Sequence, residues 1–315
     1  MTGFVLRRLA QMLPVLLIAS FGIWAMIFAV PGGPVAIMVG ENATPEQVRA
    51  ATERLGLDQP ILVQYLAWLK GALVGDFGVS IHSRDSVLGL IGERLPATLQ
   101  LGVAATIIGL MVGVPMALAS ALRPRSWIDR LLSGWSAVAL GVPTFWLGIL
   151  LILFFAVELR WLPSASAYVP FWQSPLEALR NVLLPALTLG TYVSGIFARF
   201  LRASLIAEMK ADYVRTARSK GLTERDVIGV HVLRNALLPF VTIVGLMLAN
   251  FIGGAVVTEA VFTYPGLGRL LIQAISTSDY PLIQGCILVI LMIYVVINLM
   301  VDVLYAYIDP RIEYA

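Results

Sequence analysis

The residues able to do chemistry are few, and their spacing works against it. The chain has two histidines, His82 and His231, and one cysteine, Cys286. Neither histidine sits in an HExxH run or inside an apolar segment where it could act as base to a serine. A lone cysteine excludes an internal disulfide framework and a thiolate metal cluster, and a small buried side chain is its plain reading. The lysines are Lys70, Lys210 and Lys220, and none follows the glycines of a GxxxxGK[ST] loop. The chain therefore has no phosphate cradle of its own. No catalytic residue, no metal and no cofactor is expected of it. What remains is a knot of cations, Arg215, Arg218 and Lys220, beside Gly221. It lies within a stretch from Asp212 to Pro239 that reads DYVRTARSKGLTERDVIGVHVLRNALLP.

This stretch is too polar for lipid and too patterned for slack loop. Leu205, Met209, Tyr213 and Ala217 recur every four residues, with Ile206 and Val214 widening the stripe, while the three cations fall off it. Gly221 is placed as a helix C-cap. Thr223 is placed to cap the next helix, with Asp226 three residues on. Helix, glycine, helix with a basic corner predicts a rigid elbow. Anionic lipid heads also bind basic residues beside a membrane, so lipid contact stands as a second reading.

The elements that must carry the elbow are apolar. Hydrophobic residues are 59% of the chain and charged residues 13%, against roughly 45–50% and 25% in soluble domains. The excess falls in runs near the ~20 residues that cross a hydrocarbon core: Leu9–Ala29, Ala97–Leu122, Leu131–Val157, Val182–Phe197, Ala236–Thr258 and Leu282–Val301. The fourth is short, with Arg180 and Arg199 at its ends. The first is longer than a signal-peptide core and has no small-x-small site after it, so it reads as a retained helix. Gly141-Val142-Pro143 in the third and Gly253-Gly254 in the fifth mark places where helices kink or approach closely. With both termini inside, 14 of the 22 Lys and Arg fall on inside segments, and the short outside connections are basic-poor. The net +3 is thus a topological signal, and no nucleic-acid partner is expected.

None of the six runs contains Asp, Glu, Lys or Arg, which argues against an ion-coupled carrier or a voltage sensor. Their uncharged polar residues either join helices or line a wet path. Asn250 and Asn298 are the candidates for the path. Glu259, Asp279 and Asp302 lie at run ends, where ordinary interfacial solvation explains them as well as function does.

The outside segment from Val30 to Pro96 opens with a turn at Pro31-Gly32-Gly33-Pro34. Thr44-Pro45-Glu46-Gln47 predicts a helix start, with the stop near Leu55-Gly56. Ile61–Leu73 repeats an apolar face with Tyr65 and Trp68. It suits either the outer interface or packing on neighbouring helix ends. Two regions are expected: 1–96, an N-terminal transmembrane helix with a long periplasmic loop, and 97–315, a core with a cytoplasmic loop at 199–235. A membrane domain, a path and an elbow without an engine imply a partner that hydrolyses nucleotide.

An ordered set of motifs runs almost the length of the chain: Leu6-Arg7-Arg8-Leu9, Leu55-Gly56-Leu57-Asp58-Gln59-Pro60, Gly75-Asp76-Phe77-Gly78 and Arg94-Leu95-Pro96-Ala97-Thr98. It continues with Asp212 to Gly221, Arg234-Asn235-Ala236, Tyr264-Pro265-Gly266-Leu267-Gly268, Asp279-Tyr280-Pro281 and Asp309-Pro310-Arg311. With these the chain resembles permease subunits of bacterial ABC importers, and more narrowly the B-type subunit of the dipeptide/oligopeptide/nickel family. Where the general coupling loop carries Glu-Ala-Ala, this chain has Arg215-Thr216-Ala217, the form usual in the peptide branch. The first outside turn has Gly33 where the family often has an acid. The resemblance implies an all-α polytopic fold of the type I importer permeases, with six transmembrane helices in the bacterial inner membrane. It implies a second permease subunit, two ABC ATPases that bind ATP and Mg, and an extracytoplasmic solute-binding protein. The cargo it implies is dipeptides, oligopeptides, nickel chelates or glutathione. By the same resemblance, Tyr213, Val214, Ala217 and Gly221 shape the seat for the ATPase, and Arg215, Arg218 and Lys220 orient it by charge.

Overall fold

The structure, a computed structural model, describes residues 2–29, 44–54 and 57–308. The turn at Pro31-Gly32-Gly33-Pro34, the stop at Leu55-Gly56 and the motif Asp309-Pro310-Arg311 lie outside the described residues. Apart from one antiparallel bridge between Val79 and Ser86, the regular structure among them is helical. In chain order the helices are α1 (Thr2–Ala25), α2 (Pro45–Arg54), α3 (Ile61–Leu73), α4 (Val87–Leu122), α5 (Trp127–Gly141) and α6 (Thr144–Leu151, continued by a π-helix Ile152–Glu158). There follow α7 (Pro175–Glu208), α8 (Asp212–Ser219), α9 (Glu224–Asp226, joined through a π-helix Val227–Val232 to α10, Leu233–Gly254), α11 (Val256–Val261), α12 (Leu267–Ser276) and α13 (Tyr280–Ile308).

Among the described residues, five helical segments are long and apolar enough to cross a membrane: Arg7–Phe28, Val87–Leu122, Pro175–Glu208, Glu224–Phe251 and Tyr280–Leu304. A sixth is the pair Trp127–Gly141 and Thr144–Glu158, bent by 98°. The third expected run is therefore not one straight helix. Pro143 has no amide to donate, and the chain turns extended at Val142 (ψ 125°) before α6 begins. The fourth run is not short either. Its helix is 34 residues long, because Arg180, Arg199 and Arg202 are good helix formers that carry the helix beyond the apolar run.

The chain divides into two compact units. One comprises 1–95 and 270–292. In it α1 meets α3 at Tyr65, whose hydroxyl lies 2.7 Å from Ser20 Oγ and whose ring stands edge-on to Phe21. The packed alternative for α3 therefore holds at Tyr65, while Leu62, Leu66 and Leu73 remain exposed. Thr44 and Gln47 make the expected reciprocal cap of α2, at 2.9 and 3.3 Å. Gln284 donates to the carbonyls of Ile23 and Trp24, which the end of α1 leaves unpaired. Asp279 is buried here. It accepts from the Ser80 hydroxyl and caps α13 through the Leu282 amide, so interfacial solvation is not its state within the chain.

The other unit comprises 96–269 and 293–315. Its core gathers Leu101, Phe197, Leu201, Leu205, Val227, Phe240 and Tyr264. At Gly190 α7 presses on α4: a Cβ there would stand 2.7 Å from Ile108 and 3.0 Å from the Ala105 carbonyl. Small residues at such crossings let helix backbones approach closely in lipid. The hydroxyls of Thr106, Ser136 and Thr188 bond back to carbonyls of their own helices.

Candidate functional site

The elbow runs from the end of α7 into α10, within the second unit. The expected stripe from Leu205 to Ala217 is not one continuous helix. α7 ends at Glu208, Met209–Ala211 turn, and α8 restarts at Asp212. The stripe survives the break because Leu205, Val214 and Ala217 all reach the same core as Val227 and Val232.

Gly221 closes α8. Its φ is +77°, its amide bonds the Arg218 carbonyl at 3.0 Å, and the Leu222 amide reaches back to Ala217 at 3.4 Å. These are the two bonds of a Schellman cap, and a residue without Cβ takes this conformation without strain. Thr223 then caps the next helix, accepting from the Asp226 amide at 3.3 Å while its hydroxyl donates to the Asp226 carboxylate at 2.6 Å. Arg218 grips Glu224 across the corner through two nitrogens, at 2.7 and 3.2 Å. That bond raises the guanidinium above its ordinary pKa. Tyr213 donates to Glu208 across the turn, and burial together with that carboxylate raises its phenol. Cap, ion pair and apolar spine together fix the angle of the corner.

The structure places the expected residues on two sides of the elbow. Val214 and Ala217, expected in the seat itself, point into the chain's own core at 0% and 6% exposure. They back the elbow from the chain's own core. Arg215 and Arg218 are engaged within the elbow, Arg215 with Asp212 at 3.5 Å. Lys220 has no ion pair among the described residues. The outward surface is thus Tyr213, Arg215, Arg218, Lys220 and Gly221. Asn250 is exposed and Asn298 half-buried, and the two do not join this site.

Two carboxylates of this unit are buried: Glu259, which the sequence places at a run end, and Asp129, which the sequence reading did not single out. Glu259 is 0% exposed. It accepts from the Thr98 hydroxyl at 2.7 Å and the Arg269 amide at 3.0 Å, while Thr98 Oγ accepts from the Leu267 amide at 2.8 Å. Burial pushes its carboxyl above the ordinary value, opposed by Thr98 and the amides of Arg269 and Gly268. The carboxylate and Thr98 satisfy the unpaired first amides of α12. The sequence signal was the run Tyr264-Pro265-Gly266-Leu267-Gly268: a Cβ on Gly266 would stand 2.1 Å from the Glu259 carboxylate, and one on Gly268 2.5 Å from Val256 Cα. Asp129, also buried, is gripped by Arg202 through two bonds of 2.9 Å, with Ser120 and the Arg125 amide completing its shell.

The family model described as binding-protein-dependent transport system inner membrane component matches residues 109–314, and its N-terminal companion matches residues 1–102. A chain of Brucella abortus (strain 2308) is 42% identical over 314 residues, covering 100% of both chains. The dipeptide transport system permease protein DppB of Alkalihalophilus pseudofirmus is 37% identical, and the glutathione transport system permease protein GsiC of Salmonella paratyphi A 39% identical, each covering 100% of both chains. Among solved structures, the inward-facing MetNI methionine ABC transporter aligns with TM-score 0.57 at 18% identity, over 70% of this chain and 96% of that chain. That likeness speaks for the fold alone. With matches that begin at residue 1 and end at residue 314, the chain belongs to the binding-protein-dependent transport system inner membrane component family.

Proposed function

We propose that the chain is the translocation subunit of an ATP-driven importer of peptides or peptide-like solutes such as glutathione. The observation that carries this is the elbow: a short helix locked at both ends, backed by core side chains and presenting cations outward. A groove on a cytoplasmic ATPase would seat such a helix end. Closure of an ATPase pair would then pass through a corner that does not flex and reach α7 and α10 as rocking. The outward surface of Tyr213, Arg215, Arg218, Lys220 and Gly221 makes the contact. Val214 and Ala217 transmit it to the core. Asn250 and Asn298 remain the candidates for the path, and residues 97–315 for the core domain. ATP and Mg belong to the partners, because this chain has no phosphate loop. The peptide reading draws on the names of DppB and GsiC, and a solute-binding protein is the expected source of cargo outside the membrane.

Partner identification tests this. The chain is tagged in its host, purified in mild detergent, and its companions identified. A second six-span subunit with Walker-motif ATPases supports the reading, and the accompanying binding protein narrows the substrate. The chain alone, giving solute flux in liposomes without ATP, sinks it.

A further inference from the structure

A cavity of about 240 Å³ lies between α4, α5 and α7. The positive-inside count puts this end of the helices on the cytoplasmic side. The cavity is graded along the helix axes. Ser120 and Arg202 line it toward the connection at 123–126, the exposed Ser133 and Arg199 also line it, and Leu140 lies about two turns deeper along α5 than Ser133. Arg202 is neutralised by Asp129, which it holds with two bonds of 2.9 Å. Arg199 has no ion pair, and the Ser133 hydroxyl no hydrogen bond, among the described residues. The lining of the cavity therefore holds one uncompensated positive charge and one spare hydroxyl donor, with an apolar floor on the side of the membrane interior.

We propose that this cavity binds the phosphodiester of an anionic lipid of the inner leaflet. The phosphate sits on Arg199 and Ser133, and the first methylenes of the lipid run toward Leu140. A guanidinium with a hydroxyl is a fitting pair of donors for phosphate oxygens, and basic pockets between transmembrane helices on the cytoplasmic side suit lipid heads. The polarity gradient distinguishes a lipid from a soluble anion, because it follows the order of head and chain in the inner leaflet. The surroundings agree: α5 exposes Trp127, Leu131 and Trp135, an interfacial aromatic followed by apolar surface. One positive charge matches one phosphodiester. A zwitterionic head would add an ammonium beside Arg199. The proposal rests on membrane orientation and not on the importer reading.

The test uses the full-length chain with whatever subunits co-purify, in nanodiscs of equal phosphatidylglycerol and phosphatidylcholine, with retained lipid read by native mass spectrometry. The wild type is expected to keep phosphatidylglycerol over phosphatidylcholine. Arg199→Gln with Ser133→Ala is expected to lose retention about tenfold, the effect of one charge-assisted contact. Arg199→Lys keeps the charge and should retain most of the lipid, which separates the site from a folding defect. Arg123→Gln removes an exposed charge on the same side and should change little. Equal retention of both lipids, an unaffected double variant, or equal loss in Arg123→Gln overturns the proposal. So does displacement of the lipid by millimolar inorganic phosphate, which would mark a site for soluble anions.

Discussion

Removing the Glu259 carboxylate leaves the Thr98 hydroxyl and the amides of Gly268 and Arg269 facing an apolar void. Each orphaned buried donor costs about 1–3 kcal/mol. Glu259→Ala is therefore expected to lower the thermal unfolding transition in detergent steeply. Glu259→Gln keeps one acceptor oxygen but turns an amide toward backbone N–H, so it should fall between. Equal transitions for wild type and Glu259→Ala would show that the carboxylate contributes nothing to α12. The glycines give a sharper contrast. A methyl at Gly268 meets Val256 Cα at 2.5 Å, whereas one at Gly221 meets nothing within 4 Å. Gly268→Ala must shift backbone, at about 1–3 kcal/mol. Gly221→Ala carries only the left-handed strain, about 1–2 kcal/mol, and should fold and insert. Comparing the two transitions and the membrane yield of each variant checks this ordering.

Asp129 and Arg202 join α5 to α7, with Ser120 of α4 as the third member. Arg202→Met leaves a buried carboxylate without its cation, a change that costs about 3–5 kcal/mol in buried pairs, less here because the arginine is 32% exposed. Asp129→Asn in the same chain should restore part of the loss. A double-mutant cycle on the unfolding transition measures the coupling, and additivity within about 0.5 kcal/mol would mean that the helices are not held by this pair. These elements also show what the sequence makes legible. Thr44 with Gln47, Gly221, and Thr223 with Asp226 could be read because a cap is chemistry between residues three or four apart. The apolar runs could be read because a bilayer imposes their length. Glu259 and Asp129 could not, because their partners lie 161 and 73 positions away. A carboxylate at the end of a run looks the same whether water or Thr98 receives it. Pro143 announced a break in its helix, but not the size of the bend, 98°, nor that α6 would pack so closely that a Cβ on Gly148 would stand 3.0 Å from Phe262. At the elbow, the stripe showed which residues share a face. It left open whether that face meets a partner or the chain's own core, and Val214 and Ala217 take the core.

If the elbow transmits force, its stiffness should appear in the yield of transport per ATP, and damage to the corner should lower that yield before it lowers insertion. Glu224→Gln removes half of the ion pair across the corner and leaves Gly221 and Thr223 in place. Gly221→Asp strains the left-handed cap and places a carboxylate among the outward cations, where a docked partner would meet it. Both variants leave the core contacts of Val214 and Ala217 intact, so both should reach the membrane in ordinary amounts. In proteoliposomes of the assembled complex, solute moved per ATP hydrolysed is expected to fall from wild type to Glu224→Gln to Gly221→Asp, with hydrolysis persisting in all three. A rigid corner requires that order, since the first variant loosens one of three restraints and the second alters the contact surface itself. If Gly221→Asp transports as the wild type does, the corner is a passive connection, and the force enters the membrane helices elsewhere.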